Sequence, residues 1–173
     1  MPLTIHSPRL ALALVAAFAV VAMTVALYLQ YGLDLRPCPL CVLQRIALII
    51  AGLIAGLGAL FARGRASQFS FLGGAALAAL AGAGVAVWHV WILAFPPESM
   101  SCGRPFEWFH DDFPLAVWLP RLFRGDGDCL NTDWSLLGLG IPHWSLIGFA
   151  IVLALLTLGA RSVIRGGRAD ARI

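Results

Sequence analysis

Lysine is absent from these 173 residues, and all 12 basic side chains are arginine. Charged residues of both signs reach only 12%, against 60% hydrophobic, so water cannot be the solvent for most of this chain. The formal net charge of +3 is too small and too dispersed for a nucleic-acid surface. No segment repeats and none is of low complexity. There is no G-x-G-x-x-G fingerprint and no C-x-x-C-H, which excludes a bound dinucleotide and covalent haem as electron carriers. What the chain does have is apolar residues in long blocks, with the charges gathered between them.

A bilayer core takes about 20 mostly apolar residues per helix. Four stretches meet this: about 10–29, 43–62, 71–95 and 144–160. The first carries no charge and is too long for the apolar core of a cleaved signal, so it is expected to be retained. Pro96 and Pro97 end the third, whose one ionisable residue is His89. Small residues between Gly73 and Gly84 are expected to let helices pack closely there. The fold class is therefore an all-α membrane protein, a four-transmembrane-helix bundle forming a single domain over 1–173.

Arginine sets the orientation, because cytoplasmic flanks of membrane helices collect basic residues. Arg9, Arg63, Arg65, Arg161, Arg165, Arg168 and Arg172 fall on one side, expected to be cytoplasmic along with both termini. Eight of the nine acids fall on the other, and Asp170 is the exception. Two loops face outward, at about 30–42 and 96–143, and they hold all four cysteines. Within the second, Pro114–Phe123 is apolar but too short to span, and reads equally as a short interfacial helix or a buried loop segment. The six tryptophans are read as an interfacial belt.

Cys38 and Cys41 stand two residues apart where the second span begins. A helix N-terminus favours a thiolate, and Arg45, one turn beyond Cys41, adds a positive charge. Such a pair can close and reopen with little backbone movement. Cys102 and Cys129 lie in the long loop beside Gly103 and beside Gly125-Asp-Gly127-Asp128, flanks expected to be flexible. Four cysteines admit three pairings into two disulfides. Asp126 and Asp128 should disfavour a thiolate at Cys129, which points to Cys102 as the sulfur that stays joined to an incoming protein. New disulfides require a two-electron acceptor, and with no carrier motif in the chain a lipid-soluble one remains. It would meet Cys41 at the membrane edge, where Arg45 and His89 are placed to hydrogen-bond its carbonyl oxygens.

Cys38-Pro-Leu-Cys41 followed by Arg45 resembles the C-x-x-C-x-x-x-R motif of the DsbB family of bacterial disulfide-generating membrane proteins. Cys102 and Cys129, His89 before them, Asp128-Cys129 with Trp134, and Ile141-Pro142-His143-Trp144 are similar to that family as well, so the resemblance covers nearly the whole chain. Two departures are Gln44, where many members have an acid, and His143, where many have Gln. The resemblance implies a relay at the bacterial inner membrane with periplasmic cysteines. A periplasmic DsbA-like thioredoxin-fold protein attacks a Cys102 to Cys129 disulfide, Cys129 attacks Cys38, and Cys41 is released toward ubiquinone, or menaquinone in anaerobic growth. Cys38, Cys41, Cys102 and Cys129 are thus the expected catalytic residues, and Arg45 and His89 the expected quinone-binding ones.

Three rivals are weaker. A structural four-span protein with braced loops does not call for C-x-x-C at a helix mouth with an arginine behind it. Zinc held by the four cysteines is disfavoured because only one short ligand pair is present, so no metal is expected. A quinone-linked enzyme of the vitamin K epoxide reductase type resembles this architecture but has a different motif order.

Overall fold

The structure is a computed structural model that describes residues 7–96, 119, 123, 125, 127–130 and 134–170. Its described elements are α1 (Pro8–Gly32), α2 (Pro39–Phe61), α3 (Arg65–Ala94), the strands β1 (Ser135–Leu136) and β2 (Leu139–Gly140), and α4 (Ile141–Asp170). Prolines start three of the helices because a first-turn residue has no use for its N–H. Pro8 follows the Ser7 cap, whose hydroxyl accepts from the Leu10 amide, and Pro39 follows Cys38. Pro142 sits in the first turn of α4. α3 ends at Ala94, just ahead of Pro96.

All four helices are long and apolar enough to cross a membrane, and the chain is a multi-pass membrane protein. They outrun the apolar blocks: α3, with 30 residues, extends about 45 Å, well past a core of about 30 Å. Two consequences matter for the site. α2 begins four residues before the expected span, so Cys41 lies within its first turn. α4 begins at Ile141 rather than Trp144, directly after a hairpin that pairs Ser135 with Gly140 and Leu136 with Leu139. Leu137 and Gly138, with φ of 55° and 77°, make the two-residue turn whose twist suits a hairpin. Trp144 Nε1 donates to Leu136 O at 3.3 Å and fastens the hairpin to α4.

The helices pack as an up-down bundle in which α1 meets α2, α2 meets α3, α3 meets α4 and α4 returns to α1. Lipid removes the hydrophobic drive between helices, so close contact at small residues holds them together. Ala51, Ala55, Ala75, Ala79 and Ala86 are buried among Leu12, Val15, Phe149, Val152 and Leu156. A Cβ at Gly82 would collide with the Phe149 ring, and one at Gly52 with Ala19 Cβ. Large side chains such as Leu53, Leu60, Leu77, Trp88 and Trp91 point outward, as a lipid-facing surface requires. Arg9 Nε donates to Ala62 O at 2.8 Å, tying the start of α1 to the end of α2 at the face opposite the cysteines.

Candidate functional site: a thiol cluster at the mouth of an apolar cavity

Cys38 is the N-cap of α2, with extended backbone (φ −83°, ψ 165°), and its Sγ accepts the Cys41 amide at 3.3 Å. One helical turn separates the two cysteines, which brings their sulfurs to 2.9 Å while both remain free thiols. A disulfide needs about 2.05 Å, so closure takes a movement of roughly 1 Å. Cys38 is buried against Leu40, Ile92 and Cys129. Its thiol is held well above the ordinary 9.0, first by its hydrogen bond to Cys41 Sγ and then by burial. The Cys41 and Leu40 amides act the other way and are outweighed. Cys38 is therefore the protonated partner and Cys41 the accepting sulfur.

The long loop reaches this point through a close backbone approach. Gly127 N–H donates to Pro37 O at 3.0 Å, and a Cβ at Gly127 would overlap the Arg36 carbonyl. Gly125 also lies close to Pro39, less tightly, with 3.0 Å from its Cβ position to the Pro39 backbone. Gly125 and Gly127, expected to be slack, are instead packing contacts that seat Cys129 beside Cys38, whereas Gly103 lies outside the described residues. Asp128 Oδ1 accepts the Leu130 amide at 3.0 Å, closing a local turn. Cys129 is disulfide-bonded, and the other half of that bond lies outside the described residues. So do Cys102, Asp126 and nearly all of Pro114–Phe123; the last residue, Phe123, is buried against Val42.

His89 of α3 is 2% exposed and sits between the two sulfur groups. Its Nε2 is 3.1 Å from Cys129 O and 3.9 Å from Cys38 Sγ, and its Nδ1 is 3.3 Å from Gln44 Nε2. A carbonyl only accepts, so Nε2 donates to Cys129 O, while Nδ1 faces the Gln44 side-chain amide. Gln44 and His89 are the only buried polar side chains among the described residues, and each satisfies the other. The sequence marks Gln44 only as an unusual residue; its pairing with His89 requires α2 and α3 to pack.

The Arg45 guanidinium turns toward α1. Its Nη1 donates to Gln30 Oε1 at 2.6 Å and its Nη2 to Ala26 O at 3.4 Å, both on α1. Gln30 is a second functional candidate that sequence reasoning passes over, its one signal being a lone amide at the end of an apolar block.

These groups open onto a cavity of about 660 Å³. Its apolar wall comes from Phe18, Met23, Leu48 and Phe149, and its polar end from Cys41, Arg45 and His89. The volume and the mix of wall and polar end suit a flat apolar ligand with a few polar atoms.

Comparison with known proteins agrees with the resemblance. The profile of the family described as "Disulfide bond formation protein DsbB" matches residues 8–159. A protein named Disulfide bond formation protein B from Verminephrobacter eiseniae (strain EF01-2) is 44% identical over 167 residues, 94% of this chain and 92% of the relative. Its namesake from Polaromonas naphthalenivorans (strain CJ2) is 41% identical over 160 residues, covering 91% and 94%. That of Chromohalobacter salexigens is 44% identical over 139 residues, covering 79% and 80%.

Proposed function

The chain belongs to the DsbB family, and from that premise we propose that it takes electrons from a periplasmic DsbA-like thioredoxin-fold protein and passes them to a membrane quinone. It is a membrane disulfide oxidoreductase, and Cys38, Cys41, Cys102 and Cys129 are its proposed catalytic residues. The observation that carries the assignment is the convergence of three sulfurs on the polar end of an apolar cavity.

In the proposed relay a thiolate of the partner opens a Cys102 to Cys129 disulfide and remains joined to Cys102. Cys129 leaves as a thiolate and attacks Cys38 in the closed Cys38 to Cys41 pair. Its sulfur has a short path, since Cys38 and Cys129 Sγ lie within 4.8 Å. Cys41 then carries the displaced electron pair. The N-terminal turn of α2 and the guanidinium of Arg45 hold that negative charge beside the cavity. A bound quinone supplies the capacity for two electrons and two protons, and the cavity's apolar wall fits its ring and the head of its tail. Arg45 is the proposed donor to a quinone oxygen. Nε2–H of His89 becomes a second donor when Cys129 moves and frees it from the Cys129 carbonyl. Ubiquinone is the proposed acceptor, with menaquinone in anaerobic growth.

The arginines at the opposite end of the bundle support inner-membrane placement with both termini cytoplasmic and the cysteines periplasmic. Two measurements test the proposal. Purified protein given a reduced thioredoxin-fold dithiol and a soluble ubiquinone should consume one quinone for each dithiol oxidised; turnover by a Cys41→Ser variant would remove that sulfur from the route. An impermeant maleimide should label reduced Cys102 and Cys129 on intact spheroplasts, and labelling only after lysis would invert the orientation.

A further inference from the structure

Sequence spacing supplies one short pair of soft ligands, but the fold adds two more donors to it. Cys38 Sγ, His89 Nε2 and Cys129 Sγ are buried and lie within 4.8 Å of one another, and Cys41 Sγ is 2.9 Å from Cys38. Around tetrahedral zinc, sulfur at about 2.3 Å and nitrogen at about 2.0 Å stand roughly 3.5–3.8 Å apart. The observed 3.9 Å between Cys38 Sγ and His89 Nε2 is already close to that edge. Cys129 Sγ, within 4.8 Å of both, and Cys41 Sγ, 2.9 Å from Cys38, each reach that edge to the Cys38 sulfur with a shift of about 1 Å.

We propose that the fully reduced protein carries a site for a thiophilic divalent cation of the zinc class, ligated by Cys38, Cys41, Cys129 and His89, and that occupancy halts disulfide generation. A disulfide sulfur is a poor ligand and a thiolate a strong one, so the site is closed while Cys129 is disulfide-bonded. Two-electron reduction opens it. A dithiol or phosphine reductant gives up the electron pair, the Cys129 disulfide becomes two thiols, and the arriving cation displaces the thiol protons of its three cysteine ligands to solvent.

The ring of His89 is already braced for this role. Ligating imidazoles are oriented by a hydrogen bond from their other nitrogen, and Gln44 stands 3.3 Å from Nδ1. Turning the Gln44 amide over presents Oε1 to an Nδ1–H and leaves the Nε2 lone pair toward the sulfurs. The carbonyl that now holds Nε2 belongs to Cys129 itself, so it departs with the residue that moves. The metal would occupy the sulfurs that attack and leave in the relay, and would do so only when reducing equivalents accumulate without an acceptor.

The site rests on the reading that the Cys129 disulfide is reducible, and thiol titration before metal addition separates the two. Fewer than four thiols after phosphine treatment sinks both ideas; four thiols with no metal uptake sinks only this one. Zinc is then added to reduced and oxidised full-length protein in detergent, and retained metal is measured after desalting. About one zinc per reduced chain and none per oxidised chain is expected. Cobalt in its place should give the intense visible bands of a tetrahedral thiolate site, a readout on the unaltered protein. Gln44→Ala should weaken binding about 10- to 100-fold, and His89→Ala should weaken it further. Equal retention by reduced and oxidised protein, a weak six-coordinate cobalt spectrum, or indifference to both substitutions would overturn the proposal.

Discussion

Gly127→Ala tests whether the two loops meet as the relay needs. The added methyl falls inside contact with the Arg36 carbonyl oxygen and stands 2.9 and 3.0 Å from the carbonyl carbons of Arg36 and Pro37. All three are backbone atoms, so no side chain can swing aside. The loop must retreat by about 1 Å, a misplacement that costs on the order of 100-fold in a reaction depending on positioned groups. Retreat also breaks the 3.0 Å bond from Gly127 N–H to Pro37 O, worth about 0.5–1.5 kcal/mol. Oxidised protein would be mixed with a reduced thioredoxin-fold partner, quenched in acid at intervals, and mapped for the Cys38 to Cys129 bridge. Bridge formation should slow by about two orders of magnitude. Quinone reduction driven by a small dithiol that attacks the Cys38 to Cys41 pair directly should be spared. Gly73→Ala, where nothing lies within 4 Å, is the control. A Gly127→Ala protein that forms the bridge at the unaltered rate would show that the seating of Cys129 on Pro37 does not control the exchange.

Other consequences follow from the same geometry. Gln30→Leu removes the 2.6 Å acceptor of Arg45; a charged hydrogen bond is worth about 1.5–3 kcal/mol, so the apparent KM for quinone should rise about tenfold or more, and an unchanged KM would detach Gln30 from the site. Cys38 in the reduced protein should alkylate with a pH midpoint above the ordinary 9.0. Because its folded value is raised, the thiol's contribution to stability is complete below 9.0 and fades as pH climbs through the folded value; a midpoint at or below 9.0 would contradict its place as the protonated partner. Gly82→Val drives a side chain into Phe149 and Ala47 and should cost about 1–3 kcal/mol, read as a lower unfolding temperature in detergent, whereas Gly84→Val, facing open space, should not. Cys41→Ser should still trap the thiol partner on the outer loop while losing quinone reduction, and normal turnover would refute its role.

Much of this protein is written in the order of its residues, because lipid imposes a simple rule. A chain with 60% hydrophobic content in four uninterrupted blocks has no alternative to four helices, since unpaired backbone polar groups are intolerable in hydrocarbon. The spacing of Cys38, Cys41 and Arg45 is equally local, set by the 3.6-residue turn. The spans' ends were less legible: α2 and α4 start earlier than their apolar blocks, because proline-led first turns lie in the interface where hydropathy is silent. The hairpin at 135–140 is too short to leave a strand pattern.

What only the tertiary structure decided is which distant residues became neighbours. Gln44 meets His89 across 45 positions and Arg45 meets Gln30 across 15, contacts that depend on helix rotation and carry no periodic trace. Gly125 and Gly127 read as slack in the sequence and prove to be the surfaces on which two loops press together. Composition and spacing determine that thiols stand at a membrane edge, since solvent preference and helix pitch act residue by residue. Their third sulfur, the histidine between them and the cavity beside them exist only once four helices have packed.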